Sequence, residues 1–199
     1  MQRRLAIWLI TLGICFTLGG VLFSIYLSLL GAQSYGNLKC LATACFLYAG
    51  EHGDRFPPLE STEVARKALA PYIHGSDDEL WTVPGQPCVF FQPNPALSNK
   101  HINAIKDTED AFLFYEPSER LNQGRGRMVA KAFPPLGRFV SSAAWPEVAQ
   151  KNGIPFGRSN KAADSWGRLL AQGMVVFGLE MLVCATVLGV VALHTRKRN

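Results

Sequence analysis

Three cysteines lie between the two long apolar runs of the sequence: Cys40, Cys45 and Cys88. Cys40 and Cys45 fall in a segment with helical periodicity, and at about 100° per residue their side chains point about 140° apart, which excludes a bridge between them. Cys45 shares the apolar face of that segment, so it is the better partner for Cys88 in an oxidising compartment. Two alternatives stay open: a Cys45–Cys88 disulfide, or three buried free thiols, because cysteine also packs as a small hydrophobe.

Glu180 is the one charged residue inside the second apolar run, Leu169 to Leu193. A charged carboxylate at the centre of a bilayer costs at least about 2.5 kcal/mol, so such a residue is a functional candidate. It could conduct protons, pair with a basic residue of a partner, or form a hydrogen bond with Thr17 or Ser24 of the first run. The favoured interpretation is a protonated, hydrogen-bonded side chain that holds two membrane helices together.

Small residues recur at four-residue spacing in both apolar runs, a pattern that permits close contact between membrane helices. They are Gly20, Ser24 and Ser28 in the first run and Ala185 and Gly189 in the second. The same spacing also arises by chance in apolar sequences. We expect the two runs to pair with each other within the chain rather than to form a dedicated dimer face.

The sequence lacks the motifs of the common enzyme and cofactor sites. It contains no Gly-x-Ser-x-Gly, Gly-x-x-x-x-Gly-Lys or His-Glu-x-x-His, and its four histidines are scattered without the spacing of metal ligands. The segment Gly124 to Arg127 could hold a phosphate or a lipid headgroup, but a solvated turn is the favoured interpretation. We therefore expect no catalytic residue, no cofactor and no metal site, in a protein that is not an enzyme.

Two runs are long enough to span a membrane. No residue from Leu5 to Leu30 is charged, a stretch of 26 positions. At about 1.5 Å per residue, a helix of this length exceeds the ~30 Å hydrocarbon thickness of a bilayer. It also exceeds the apolar core of a cleaved signal peptide, so we expect it to be retained. The run from Leu169 to Leu193 is long enough to form a second span.

The charge distribution predicts the topology. Arg3 and Arg4 precede the first run and Arg196 to Arg198 follow the second, so the two tails carry five basic residues, equal to the net charge of +5. The region between the runs holds 15 basic and 14 acidic residues, and this near balance argues against nucleic acid as a partner. Since basic residues stay on the cytoplasmic side, we expect both termini in the cytoplasm and the central region outside.

We expect the protein to be anchored in the inner (cytoplasmic) membrane, with the central domain in the periplasm or an equivalent extracytoplasmic space. The chain is then divided into five parts. The parts are a cytoplasmic tail (1–4), a first transmembrane helix (5–31), an external domain (32–165), a second transmembrane helix (166–193) and a basic cytoplasmic tail (194–199). The expected partners are the lipid bilayer and a protein that the sequence does not identify.

The pattern of the external region predicts an α+β fold. The segment 37–49 has one apolar helical face, and a second helix is predicted from Ser61 or Thr62 to Pro71 or Tyr72. Four β-favouring runs follow, at 88–92, 111–115, 127–133 and 138–141, the last two joined by a hairpin loop at 134–137. We therefore predict a long N-terminal transmembrane helix that continues into a domain with a small antiparallel sheet, and a second, C-terminal transmembrane helix.

The order of short motifs resembles a known family. A membrane helix leads into Asn37-Leu-Lys39, then Gly53-Asp-Arg-Phe-Pro-Pro58, then Asn94 to Lys100 and the strand Leu113 to Glu116. This order is similar to that of type II secretion pseudopilins and type IV pilin-like proteins with a C-terminal His-x9-Asp-Gly domain, over roughly residues 34 to 150. The resemblance implies a pilin-like fold and a role in assembly or protein contact, linked to type II secretion or pilus-like systems.

The sequence also departs from that family. The prepilin cleavage motif is missing after Arg4, and the His and Asp of the closing hairpin are missing around 123–138. A second span is foreign to pilins, because a subunit tethered twice cannot easily leave the bilayer. We thus expect a non-enzymatic, membrane-anchored pilin-like module. The alternative is a small two-span subunit of a sensor or transport complex in which Glu180 is functional.

Overall fold

The computed structural model describes residues 2–73, 77–86, 88–105, 110–119, 122, 125–154, 173–180 and 183. The chain divides into two compact units, one formed by Met1–Ser28 with Trp166–Asn199 and the other by Leu29–Ser165. A single helix, α1 (Gln2–Glu51), contributes residues to both. The first unit carries the apolar runs and the second carries the α+β domain.

Within the described residues, one helix is long and apolar enough to cross a bilayer, the part of α1 from Thr11 to Glu51. Residues 173–180 are also helical and pack on α1. The Phe177 ring meets the Phe16 ring edge to face, 5.0 Å between centres. At Gly178 the helices approach so closely that a methyl group would lie 2.3 Å from Thr17 Oγ1. Most of the predicted second transmembrane helix, 166–193, lies outside the described residues.

The second unit condenses on one face of α1. Apolar residues at i, i+3, i+4, i+7 and i+11 form a helical stripe, as the sequence predicts. All five members are completely buried: Leu38, Leu41, Ala42, Cys45 and Ala49. The helix ends at Glu51, where Gly53 and Asp54 adopt positive φ angles of 63° and 58° and Asp54 N–H donates to Ala49 O at 2.9 Å. The turn sends the chain back along the helix toward Phe56, which is also buried.

Two short helices follow this turn. Helix α2 (Thr62–Leu69) begins at Ser61, whose Oγ accepts a hydrogen bond from Val64 N–H at 3.2 Å, so the predicted cap is confirmed. A 3-10 turn, Ala70–Tyr72, extends it, and α3 (Asp77–Trp81) comes next. Leu69 and Trp81 are buried against the same core as the α1 stripe.

The sheet has four antiparallel strands in the order β1-β2-β3-β4, which is also their order along the chain. The strands are β1 (Gln92–Pro93), β2 (Phe112–Tyr115), β3 (Gly126–Lys131) and β4 (Gly137–Ser141). Phe114 pairs with Ala130, and Met128 pairs with Phe139. The last three predicted strands are confirmed with small changes at their ends.

Helix α4 (Trp145–Lys151) covers the second face of the sheet and was not predicted. Its Trp145, Val148 and Ala149 bury Phe112 and Val129, while the opposite face belongs to the core under α1. Because both faces are covered, β2 and β3 are almost continuously buried, which explains why the run Phe-Leu-Phe-Tyr lacks the alternation of a half-exposed strand.

The predicted first strand at 88–92 is wrong for most of its length. Cys88 has a φ of +68°, and Val89 N–H donates back to Gln86 O at 3.1 Å, so this segment forms a turn. Phe90 makes an isolated bridge to Thr82, and the strand itself begins at Gln92. The apolar residues of the segment still reach the core, with Phe91 fully buried.

Replacing Leu41 with alanine tests whether α1 is the spine of this domain. Leu41 is fully buried, so we expect Leu41→Ala to lower the free energy of unfolding by about 2 to 5 kcal/mol, the cost of a buried leucine. Thermal unfolding in detergent, followed by circular dichroism, measures the change. Leu47→Ala is the matched control, because Leu47 is 53% exposed and should change stability little. Equal effects of the two variants would contradict a core centred on the stripe.

Candidate functional site

A buried carboxylate joins α1 to the sheet. Glu116 follows the last residue of β2 and is completely buried. Its Oε1 accepts a hydrogen bond from Ser34 Oγ at 2.5 Å, and its Oε2 accepts from Asn122 Nδ2 at 2.7 Å and from Met128 N–H at 2.8 Å. One side chain thus connects the helix, the segment after β2 and the third strand.

The environment of Glu116 changes its ionisation. Burial raises the pKa of Glu116 to about 7, although the hydrogen bonds from Met128 and Ser34 favour the charged form. Burial has this effect because removing a carboxylate from water penalises the ionised state more than the neutral one. The group therefore titrates near neutral pH while it lies inside the protein.

Arg127 borders the same cluster and ties it to α4. Its guanidinium donates to the backbone oxygen of Glu116 at 3.3 Å and also to that of Pro117. The guanidinium carbon lies 4.7 Å from the ring centre of Trp145, a cation–π arrangement. Arg127 is itself buried, so these contacts occur away from water and are stronger than the same contacts at a surface.

A second acid completes the charge balance. Glu119 Oε1 lies 3.9 Å from Arg127 Nε, and its Oε2 accepts from Ser142 Oγ at 2.8 Å. Both charged residues are almost fully buried. Buried charges need compensating partners, and removing one partner typically costs about 3 to 5 kcal/mol. The Glu116–Arg127–Glu119 cluster is therefore a structural clamp that connects α1, the segment after β2 and β3.

An open groove runs along the outer side of α1. Its volume is about 570 Å³, and α1 contributes one wall while the end of the 3-10 turn after α2, with Ile73, and the second half of α3 contribute the other. Its lining residues are Gln33, Gly36, Asn37, Lys39, Cys40, Thr43, Ala44, Leu47, Tyr72, Ile73, Glu79 and Leu80. Asn37 Nδ2 donates to Glu79 O at 3.0 Å and closes one end. The surface mixes apolar and polar groups, as a protein contact requires.

A smaller cavity of about 280 Å³ lies near α4. Asp110 accepts from Lys151 Nζ at 3.0 Å and from Arg138 at 3.1 Å, and the hydrogen bond from Lys151 is the main cause that lowers the pKa of Asp110. The buried amide of Asn94 donates to Phe112 O at 2.9 Å and to Asn152 Oδ1 at 3.2 Å. These polar groups hold loop and strand together, which favours a structural role for this cavity.

The two cysteines of the predicted disulfide are both free thiols. Cys45 is buried in the α1 stripe, whereas Cys88 is exposed in the turn before β1. The Cys45–Cys88 disulfide is therefore not formed in the structure. Cys40 is also exposed, so the alternative of three buried thiols holds for Cys45 alone.

Only some of the residues predicted to pack or act in the membrane helices lie in the part of the chain that the structure describes. Gly20 is buried, while Ser24, Ser28 and Glu180 are exposed. The close contact occurs at Gly178, which faces Thr17 and Gly13 of α1. Ala185 and Gly189 lie outside the described residues. Among the residues described, no group of three or more His, Cys, Asp or Glu side chains could hold a metal ion.

The sequence did not predict the buried Glu116–Arg127–Glu119 clamp. A signal was present: Glu116 follows a strand of four apolar residues, and an acid in that place either marks the strand end or lies buried. The sequence pattern cannot separate these two cases. Ser34, which binds the carboxylate, is 82 residues away along the chain, and Asn122, which also binds it, lies in a loop.

The pH dependence of stability tests the ionisation of Glu116. Its pKa rises from 4.5 to about 7 on folding, so between these values the folded chain keeps a proton that the unfolded chain has lost. The free energy of unfolding should therefore decrease as pH rises from 4.5 to about 7, by up to about 3 kcal/mol, and level off above. Denaturant unfolding at a series of pH values measures this.

Glu116→Gln is the control for this pH profile, because an amide keeps the shape and cannot ionise. Its oxygen can still accept from Asn122 and Met128, and its NH₂ group can donate to Ser34 Oγ. We expect the decrease between pH 4.5 and 7 to disappear in this variant. A decrease that persists unchanged would show that another group causes it.

Comparison of the chain with protein-family models, with curated proteins and with solved structures found no match. The resemblance to pilin-like proteins consequently rests on the order of short motifs and stays a prediction. The features that support a functional proposal are the apolar length of α1, the domain built on it, and the groove that remains open on its outer side.

Proposed function

We propose that this chain is a non-enzymatic, membrane-anchored module whose external α+β domain, of pilin-like design, serves assembly or contact with a partner protein. The observation that carries the proposal is that the two faces of α1 have different environments. One face of the helix is buried in the domain core, while the opposite side lines the groove from Gln33 to Leu47. This open side of α1 is therefore available for contact with a partner protein.

The groove has the dimensions and chemistry of a docking surface for a helical segment. From Gln33 to Leu47, α1 rises about 21 Å at 1.5 Å per residue, which equals almost four helical turns. Leu47 and Leu80 supply apolar contacts, and Lys39 and Glu79 supply opposite charges at the walls. An amphipathic helix laid into such a groove would bury its apolar face.

Tyr72, which lines the groove, favours binding over catalysis. Tyr72 donates a hydrogen bond to Glu51 Oε2 at 2.6 Å, and this bond raises the pKa of Tyr72 to about 12. A general acid or base works best with a pKa near the working pH, and this shift moves the phenol away from it. The groove therefore supports contact with a protein surface rather than chemistry on a small substrate.

The membrane topology belongs to the same proposal. Two spans in the inner membrane, with both termini in the cytoplasm and residues 32–165 outside, fit the basic tails and the apolar length of α1. The motif order supports a place in a pilus-like or type II secretion assembly. A second span would favour a subunit that stays in the bilayer over one that enters a filament.

Cys40 allows a direct test of the groove. Its thiol is exposed and lines the groove, so a maleimide photocrosslinker attached there in native membranes should join the chain to a partner. Cys88 is an exposed thiol in the turn before β1, outside the groove lining, and serves as the matched control after Cys40→Ser. We expect a discrete adduct, detected by mass spectrometry, from Cys40 alone. Equal labelling patterns from both sites would contradict docking in the groove.

Glu180 favours the second candidate, a two-span subunit of a sensor or transport complex. Its side chain is exposed on helix 173–180. Thr17, one of the two partners expected for it, donates its hydroxyl hydrogen bond to Gly13 O of its own helix at 2.9 Å. An exposed carboxylate in a membrane-length run is suited to contact with another chain, because its charge is costly in lipid unless it is paired.

Glu180→Gln separates the two candidates. If the domain carries the function, this variant should give the same Cys40 adduct at the same yield as the unchanged chain, because the amide is remote in sequence from the groove and leaves the fold intact. The yield is read by quantitative mass spectrometry of native membranes. Loss of the adduct while the external domain stays folded would favour the sensor or transport subunit instead.

A further inference from the structure

The two edge strands of the sheet differ in how they are protected. Strand β1 has two residues, one of which is Pro93, a residue without an N–H group. The chain just before it is also paired, because Phe91 N–H donates to Trp81 O at 2.9 Å. Strand β4 has five residues and no proline, and its register with β3 is unbroken from Gly137 to Ser141. An edge of this kind is a template for a further strand.

The hydrogen bonds at the two ends of the β3–β4 hairpin show which backbone groups of β4 face outward. Lys131 N–H donates to Leu136 O, and Ser142 N–H donates to Arg125 O, both at 2.8 Å. In an antiparallel ladder, hydrogen-bonded pairs alternate with non-hydrogen-bonded pairs. Counting inward from either end, Phe139 belongs to a non-hydrogen-bonded pair. Its N–H and C=O groups therefore point away from β3.

The same alternation turns the backbone groups of Gly137 and Ser141 outward. Met128, the partner of Phe139, agrees with this assignment, because its own N–H and C=O groups bind Glu116 on the side of β2. The carbonyl oxygen of Ser141 accepts a hydrogen bond at 3.0 Å from the residue before α4. The other outward groups of β4 have no hydrogen-bond partner among the residues that the structure describes.

Two aromatic side chains flank this edge on the sheet face toward α1. Phe139 is 46% exposed, and Tyr35 of α1 is 39% exposed. The Tyr35 ring lies over Gly137, 2.5 Å from the position that a methyl group would take there. A strand laid beside β4 would place a side chain directly opposite Phe139, where a cross-strand apolar pair stabilises a sheet. The edge thus offers an extended segment both backbone hydrogen bonds and an apolar contact.

The charge of the hairpin indicates which extended segment fits. Residues 125–142 include four basic residues and no acidic residue. Arg138 lies on β4 itself, and its side chain is 44% exposed while it binds Asp110 at 3.1 Å. A second copy of β4 would bring the same basic residues to the edge, which disfavours pairing between two copies. An acidic segment is the complementary partner.

We propose that the open edge of β4 binds an extended, acidic segment of another protein as a further antiparallel strand. The segment exchanges two backbone hydrogen bonds with Phe139 and places an apolar side chain against its ring. An acidic side chain next to it in the segment lies opposite Arg138, on the sheet face toward α4. This surface shares no lining residue with the groove on α1, so the inference goes beyond the proposed function and does not depend on it.

Hydrogen exchange of single amides, read by NMR on the full chain in detergent micelles, tests this proposal. The probe is a short synthetic peptide in which valine alternates with glutamate, and the control peptide carries lysine in place of glutamate. In the free chain, we expect fast exchange at Phe139 and Ser141, whose amides face outward, and slow exchange at Arg138 and Val140, whose amides lie in the ladder. Saturating glutamate peptide should slow Phe139 and Ser141 about tenfold or more.

Phe139→Pro and Phe139→Ala form a matched pair of variants. Both remove the ring, but only proline removes the outward N–H, a group that the ladder to β3 does not use. We expect the glutamate peptide to bind Phe139→Pro about tenfold more weakly than Phe139→Ala, because a peptide carbonyl is left without its donor. Fluorescence anisotropy of a labelled peptide measures the affinity, and circular dichroism checks the fold of each variant.

Three results with the peptides would each overturn the proposal: no binding of the glutamate peptide, equal affinity for the lysine peptide, or binding that leaves exchange at Phe139 and Ser141 unchanged. Equal affinity of the two variants would also contradict it. Slow exchange at these amides that depends on protein concentration would assign the edge to a second copy instead. The Cys40 adduct reports on the groove separately.

Discussion

The structure depends on one helix, α1, which carries a long apolar run followed by a buried apolar stripe. In its apolar run, α1 presents uncharged residues on every side, and the helix is long and apolar enough to cross a bilayer. Beyond that run, the same helix keeps one apolar stripe and buries it completely under a small sheet. The stripe thus supplies the centre of the core of the α+β domain. The apolar run and the spine of the domain core therefore belong to a single helix.

The buried clamp fixes the register of that coupling. An apolar stripe allows a sheet to slide or rotate on a helix, because dispersion contacts are not directional. The hydrogen bond between Ser34 and Glu116 is directional, and the second bond of the same carboxylate to Met128 N–H relates the helix to one particular strand position. Arg127 and Glu119 extend this fixed point toward α4. Burying these charges costs free energy of desolvation. Their directional contacts define one arrangement at the end of the domain nearest the apolar run.

The sequence predicted those features that one segment determines by itself. The stripe on α1 and the cap at Ser61 depend on local periodicity and local hydrogen bonds, and both are confirmed. Helix α4 was missed because seven residues that include Pro146 carry little periodic signal. The strand at 88–92 was wrong because a turn at Cys88 outweighs the β propensity of its neighbours. The clamp depends on pairs such as Ser34 and Glu116, 82 residues apart, which no local pattern can indicate.

Hydrogen exchange of the full chain in nanodiscs tests the central claim most directly, because it reads the stability of each segment separately. If α1 is the spine of the domain, the amides of residues 38–49 should be as strongly protected as those of β2 and β3, and all three should become exchangeable together as denaturant is added. Fast exchange of residues 38–49 while the sheet remains protected would contradict the account, since the sheet would then be folded without the helix.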